Sequence, residues 1–320
     1  MGGRMGGYQS PTSKVDTVIR LFVEGKDDLD VLWSCWIKDD KRGARRLPEV
    51  EMVEQADGCE RVVQRVKADL SEPDLISMGL VDRDTLLQQP AEHQCWAPAD
   101  KRREVFLDAD DARFGAQARG LFGATIAERM WVLPFWELEN LVLLTPRLLY
   151  VHQHTRGPKK GGVLFSDEAQ LLTALLALVE VLRPYFAGLV HTKVAQKKLS
   201  VSGIDQWKKS ASELRAEVLA ACAGSLDEPT LLELEQKLAE FDDAPSHDPV
   251  TRWRRVSRLA DGKTLRNFIC SSWISDGPDQ MTRALARLMA EGDGPPAEVV
   301  QILKEMRARA DELVDAPRAS

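Results

Sequence analysis

The carboxylates are the residues of this chain best placed to do chemistry, because three clusters of them follow directly on apolar runs. In the first, Val18, Ile19, Leu21, Phe22 and Val23 lead into Glu24, Gly25 and Asp28, within LFVEGKDD at 21–28. In the second, Leu75, Ile76, Met78, Leu80 and Val81 lead into Asp82 and Asp84. In the third, the stretch MWVLPFWELENLVLL at 130–144 places Glu137, Glu139 and Asn140 just after an apolar segment broken by Pro134. On a strand, residues two apart point to the same side, so Asp82 and Asp84 are expected to share a cation. Hard oxygen ligands in this number suit Mg²⁺ or Mn²⁺ and not zinc. Two such ions flanking a phosphodiester activate water on one side and stabilise the leaving oxygen on the other. Any one cluster alone reads more simply as a solvated strand end or a helix N-cap. Three in succession favour one shared site.

The elements that must position these acids follow from the patterning. A short β-branched and apolar run bounded by Gly or charge reads as a buried strand. A helix over 26–38 then carries Leu29, Leu32, Trp33 and Trp36 at helical spacing, and EVEMVE at 49–54 alternates like a strand. A second helix over 58–70 puts Val62, Val63, Val66 and Leu70 on one stripe before the strand that ends in Asp82-Arg83-Asp84. The order β-α-β-α-β calls for crossovers and a parallel sheet, with its site at the carboxyl ends of the strands. The polar stretch 87–103 reads as a loop, 104–109 as a short strand or loop, 115–129 as a helix, 130–133 as a strand and 138–144 as the start of a helix. Thr155-Arg156-Gly157-Pro158-Lys159-Lys160-Gly161-Gly162 is a basic loop suited to a domain boundary. Beyond it helices are expected at 166–182, 210–223, 228–241, 279–290 and 296–314. The resulting division is a disordered N-terminus at 1–14, an α/β domain at 15–154 and a mainly helical domain at 155–320.

Composition narrows the class. In 320 residues, 44% are hydrophobic and 29% charged, as in an ordinary globular protein. No apolar run is expected to reach the ~20 residues of a membrane helix, and the start lacks the apolar core of a signal peptide. Met1-Gly2 begins like a myristoylation signal, but Gly6 stands where that signal needs Ser or Thr. Cys35, Cys59, Cys95, Cys222 and Cys270 form no CxxC pair, which argues against structural zinc and for a reducing, cytoplasmic setting. His152 and His154 lack further ligands at a recognisable spacing and read as a polar helix face. The formal charge of −7 is unevenly spread: windows 145–165, 190–215 and 252–266 carry +4, +4 and +5, leaving −20 on the remainder. Their Lys159, Lys160, Lys197, Lys198, Lys208, Lys209, Arg252, Arg254 and Arg255 are the expected nucleic-acid-facing cations. Trp207 beside Lys208 and Lys209 has the setting of a base-stacking residue; Trp253 reads better as packed beneath arginine stems.

The acid motifs also carry a resemblance. Glu24-Gly25 at one strand end, with Asp82-Arg83-Asp84 at a later one, resembles the signature of the Toprim domain. That fold is shared by topoisomerases, bacterial primases and overcoming-lysogenization-defect (OLD) nucleases. ELENL at 137–141 and DGKTLRNF at 261–268 are similar to a narrower group, the Toprim-like proteins of bacterial defence loci, which includes the effector subunit of PARIS anti-phage systems. The resemblance spans roughly 15–145 plus the Gly262-Lys263 patch. It implies a Toprim-like, mostly parallel sheet flanked by helices, and a metal-dependent nuclease acting on DNA or RNA, including tRNA. It further implies Glu24 as acid/base or metal ligand; Asp82 and Asp84 as metal ligands; and Asp28, Glu137 and Glu139 as completing a two-ion Mg²⁺ or Mn²⁺ site. Lys263 would neutralise a phosphate or the transition state, and an ABC-type ATPase would be the partner, since the chain has no GxxxxGK[ST] of its own. Nucleic-acid binding of this kind weakens steeply with salt.

Two other readings remain open. A haloacid-dehalogenase-type phosphatase also places Asp-x-Asp after a strand, but that pattern wants Thr or Val where this chain has Leu86, and it leaves Glu24-Gly25 unexplained. A non-catalytic Toprim relative acting as sensor or adaptor would keep the same acids.

Overall fold

The computed structural model describes residues 18–315 apart from 40–43, 73–74, 89–96, 144–146, 155–164, 196–197, 200, 202–208, 243–247, 275–276 and 293. The expectations for residues 1–14, the boundary loop 155–162, Lys159, Lys160, Lys197, Trp207 and Lys208 therefore lie outside the described residues.

β1 (Val18–Val23) is apolar at all but Arg20 and is central in the main sheet. Strands covered on both faces carry such continuous apolar runs. After α1 (Lys26–Leu29) the chain widens into a π-helical stretch, Asp30–Ile37, and makes a small antiparallel hairpin of β2 (Lys38–Asp39) and β3 (Ala44–Arg45). β4 (Met52–Gln55) and β5 (Leu75–Val81) then flank β1, both parallel to it, with Leu21 opposite Val53 on one side and Met78 on the other. α2 (Cys59–Ala68) links them and buries Val62, Val63 and Val66. β6 (Met130–Val132) joins the far side of β5, also in parallel. The order is β4-β1-β5-β6. Gly79 permits the close packing at the centre: a Cβ there would lie 2.5 Å from the Met130 sulfur and 2.7 Å from a Val62 methyl.

This topology fixes where a site belongs. From β1 the chain crosses to β4 on one side, then returns past β1 to β5 and continues outward to β6. The connections leaving β1 and β5 thus diverge. Beyond the carboxyl ends of two such strands an open parallel sheet leaves a crevice.

Between β5 and β6 lie α3 (Ala99–Phe106), α4 (Asp111–Gly120) and α5 (Ala124–Ala127). α3 corrects the expectation of a loop at 99–103 and of a strand or loop at 104–106. Its inward face includes an arginine, Arg102, which donates to the carbonyls of Ala97 (3.0 Å) and Leu86 (3.3 Å). A buried cation in place of an aliphatic residue erases the helical period from the sequence. After β6 come α6 (Leu138–Leu143) and α7 (Arg147–His154), then α8 (Glu168–Val194). α8 runs well past the expected end at 182, carrying Pro184 within it, and is long and apolar enough to cross a bilayer, contrary to the reading of the sequence. Here its buried face, with Leu171, Leu175, Leu182, Phe186 and Val190, packs within the fold against α9 (Ala211–Ala221), α10 (Glu228–Ala239) and α11 (Pro249–Val256).

α12 (Gly262–Ser272), α13 (Pro278–Glu291) and α14 (Ala297–Asp315) complete the chain's described part and fold back on the α/β unit. Trp36 Nε1 donates to Ala286 O (3.1 Å), Trp253 Nε1 to Leu143 O (3.2 Å) and Arg307 Nε to Glu49 O (3.0 Å). Buried apolar residues from Ile19 to Ala310 form a single cluster. Both halves of the chain build one core.

Candidate functional site: a buried acidic crevice

β1 ends at Val23 and presents Glu24 to the neighbouring strand end. Its Oε1 accepts from the Asp82 backbone N–H (2.8 Å) and from Thr85 Oγ1 (2.5 Å). α1 is a single turn, and Asp28 reaches back from it to accept from the Gly25 N–H (2.8 Å). β5 stops at Val81. Asp82 is extended and caps a 3₁₀ turn, Arg83–Leu87, so Asp84 lies in that turn and not on the strand. This corrects the picture of two acids on one strand face.

The cause is Arg83, whose side chain is fully buried. It donates to the carbonyls of Phe106 (2.6 and 2.9 Å), Asp108 (2.8 Å) and Pro134 (2.9 Å), and its guanidinium lies 4.0 Å from the Phe114 ring centroid. Turning Arg83 inward breaks the pleat and leaves Asp82 and Asp84 at the crevice.

The segment after β6 runs alongside this exit. Leu133 N–H donates to Val81 O (2.8 Å), Arg83 N–H to Phe135 O (3.2 Å) and Asp84 N–H to Trp136 O (3.3 Å). That pairing carries Glu137 to the acids, and Leu138 N–H donates to Asp82 Oδ1 (3.2 Å). Asn140 accepts from the Glu137 N–H (2.9 Å) and donates to the carbonyls of Ser257 and Ala260, both at 2.8 Å. A Cβ on Gly262 would fall 2.6 Å from Asn140 Oδ1, so only glycine lets α12 begin here. Lys263 then holds Glu137 twice, through its backbone N–H (3.1 Å) and its Nζ (2.7 Å). The ELEN and GK patches, more than a hundred residues apart, are one joint.

Two further cations face the crevice. Lys193, in the last turn of α8, is ion-paired with Asp84 and lies 5.4 Å from the Trp136 ring centroid. Arg266 meets Glu139 and Asp279, each at 3.5 Å, and Asp27 at 3.9 Å. Six carboxylates, Glu24, Asp28, Asp82, Asp84, Glu137 and Glu139, thus share one edge of the sheet with Lys193, Lys263 and Arg266.

Burial and mutual repulsion govern their ionisation. Glu24 is pushed up to about 8 by burial and then by the Asp84 charge, against the hydrogen bonds from Thr85 and Asp82. Asp28 rises to about 7 through burial and the charge of Glu139. Glu137 rises to about 8 through burial and Asp261, partly offset by Lys263. Asp82 is held well above the usual carboxylate range by burial and by Asp28, Glu24, Asp84 and Glu137 together. For Lys193 and Lys263, burial favours the neutral amine, but the surrounding acids outweigh it and keep both raised above an ordinary lysine.

A small cavity lies between Asp28 and Asp82, walled by Val23, Leu32, Leu80, Leu133 and Leu138, with room for about one water molecule. The donors around it are carboxylate oxygens, which suit a hard divalent cation. Among the described residues no three Asp, Glu, His or Cys side chains are yet arranged as a ready metal-binding group. Two of the acids are engaged by lysines instead. The donor set fits Mg²⁺ or Mn²⁺ in kind.

All seven residues singled out in the sequence at this edge, Glu24, Asp28, Asp82, Asp84, Glu137, Glu139 and Lys263, come together. Lys193, Thr85 and Arg266 complete the crevice; the sequence singled out none of them as a site residue, although Arg266 lies within DGKTLRNF at 261–268. Among the proposed nucleic-acid contacts, Lys198 is exposed and Arg255 half-buried. Lys209 is paired with Glu217 (2.6 Å), Arg252 with Asp242 (2.7 Å) and Arg254 with Glu298 through Nε (2.7 Å). Trp253 is a core residue. His152 is buried and accepts from the Phe165 N–H (3.4 Å). Neither protein-family models, nor curated proteins, nor solved structures give a match to this chain.

Proposed function

We propose that the chain is a Toprim-like, Mg²⁺- or Mn²⁺-dependent nuclease. The observation that carries this reading is the meeting of six carboxylates at the switch point of an all-parallel sheet. Asp82 and Asp28, which border the small cavity, with Asp84 beside them, would hold the ion. Such an ion supplies Lewis acidity and a water of lowered pKa. Glu24, protonated near neutral pH in the metal-free crevice and fixed by Thr85 and the Asp82 N–H, is the group placed to exchange a proton with a reacting oxygen. Lys263 keeps its charge at the N-terminus of α12, where a phosphate is favoured by both the ammonium and the helix end. The resemblance in the acid motifs further supports a role as an anti-phage effector restrained by an ABC-type ATPase, with DNA or RNA as substrate.

The test is incubation of the purified protein with supercoiled DNA, single-stranded DNA and tRNA, each with Mg²⁺ or Mn²⁺, beside Glu24→Gln and Asp82→Asn. Metal-dependent cleavage by wild type, reduced at least about 100-fold in both variants, is expected. Cleavage that survives both substitutions overturns the assignment. Phosphate release from small monoesters in place of strand cleavage points to the phosphatase. The lysine pairs at Asp84 and Glu137 favour one second reading, a non-catalytic sensor or adaptor, since they neutralise two acids without a metal. Metal-dependent binding without cleavage, in the presence of any ATPase partner, is its signature.

A further inference from the structure

Lys193 stands apart from the other residues of the crevice. It belongs to the helical half of the chain, at the end of α8, yet its ammonium lies against an acid of the sheet edge. Lys263 is fixed to Glu137 by backbone and side chain together, whereas Lys193 holds Asp84 by its Nζ alone. Its side chain is 25% exposed while that of Asp84 is 8% exposed, so the ammonium closes the solvent side of a buried carboxylate. Trp136, fully buried, offers a ring face within cation–π range of the same Nζ.

We infer that Lys193 is a resident counter-cation of the site. Its ammonium fills the cation position at Asp84 in the metal-free protein, and a divalent ion gains Asp84 only by displacing it. This rests on the metal-dependent reading above. A buried charged carboxylate left without a partner is strongly unfavourable, and in the metal-free protein the Lys193 ammonium is the partner of Asp84. Exchange of one cation for another keeps the acid partnered without exposing it. The displaced ammonium remains tethered at the mouth of the crevice, where a nucleic-acid phosphate is its natural new partner. Metal and phosphate then help each other to bind, because the phosphate draws Lys193 from Asp84 and the metal frees it for the phosphate. Lys193 is in this sense a positioning residue for Asp84 and a lock on metal loading.

The test reads metal binding without any substrate turnover. Mn²⁺ affinity is measured by calorimetry on wild type, K193M, K304M and D82N, each checked for folding by circular dichroism. K193M is expected to bind Mn²⁺ about tenfold more tightly than wild type, because the competing ammonium is gone. K304M removes an equal charge from an exposed position on α14, and is expected to stay near wild type. An affinity in K193M equal to or weaker than wild type overturns the inference, as does equal tightening in K304M. Should K193M fold poorly, its melting temperature is compared with and without Mn²⁺, and K193Q is titrated beside it. A larger Mn²⁺-induced rise than in wild type supports the lock, and an equal or smaller one opposes it. D82N separates the two readings. Mn²⁺ binding by wild type that D82N abolishes upholds the metal site whatever K193M does. Binding that is unaffected in D82N, or absent from every chain, removes both the metal site and the lock.

Discussion

Glu24 is opposed in its ionisation from two sides, by loss of water and by the charge of Asp84, while Thr85 and the Asp82 N–H only partly favour the anion. Asp28 and Glu137 are in the same position. In the unfolded chain such carboxyls release their protons by about pH 4 to 5. In the folded, metal-free protein they hold them to about 7 for Asp28 and about 8 for Glu24 and Glu137. The folded state then binds more protons across the interval between, so stability falls as pH rises. Their contribution is complete below the unfolded values and is lost as pH passes through 7 to 8. On chelator-treated protein, the melting temperature of wild type minus that of Glu24→Gln is expected to decline from pH 5 to about pH 8 and to level off above it. A difference that stays flat or grows with pH contradicts the burial of an ionisable group at this position. At this scale the acids are legible in the sequence, because a carboxylate is conspicuous where an apolar strand ends. Lys193 is not. It closes a 27-residue apolar helix and stands 109 positions from Asp84, amid residues that form no motif.

Elements translate these residues into a site, and they do so through contacts that local pattern only partly reveals. The parallel strands are visible because β1 and β5 need apolar side chains on both faces. The turn that follows β5 is hidden, since Arg83 and Arg102 are core residues here and polarity marks them as surface. The start of α12 shows the same limit: the GK patch is visible, but its partner Asn140 is chosen only by packing. At that joint, Gly262→Ala would bring a methyl within 2.6 Å of Asn140 Oδ1 and 3.2 Å of the Asn140 backbone nitrogen. Neither neighbour is free to yield, because Asn140 is committed to Glu137, Ser257 and Ala260. α12 must shift, taking Lys263 from Glu137. Thermal or urea unfolding is expected to show a loss of about 1–3 kcal/mol, together with a fall in metal-dependent cleavage. Full stability and activity in Gly262→Ala would show that the joint does not position the crevice.

Across the whole molecule, the acids and the cations that answer them come from opposite ends of the chain. Glu24, Asp28, Asp82, Asp84 and Glu137 belong to the sheet edge, whereas Lys193, Lys263 and Arg266 arrive on α8 and α12. A boundary near residue 154 is suggested by the shift from alternating strands and helices to helices alone, but long-range packing is not written in local composition. Trp36 finds its hydrogen-bond partner 250 residues away, and Trp253 lies against the end of α6. A fragment ending at residue 154 would therefore expose the faces of the π-helical stretch, α6 and α7 that α13 covers. It would also leave six carboxylates without their three cations, at a desolvation cost that only protonation or rearrangement could relieve. The expected outcome is that residues 15–154 expressed alone give a broad, non-cooperative thermal transition and bind a hydrophobic dye, while the full chain melts sharply. The addition of millimolar Mg²⁺ would narrow that transition only slightly, because the ion replaces the charges of the missing half but not its apolar contacts. A sharp, dye-free transition for the fragment would show instead that the α/β unit folds alone, and that the helices serve the crevice only as a source of cations.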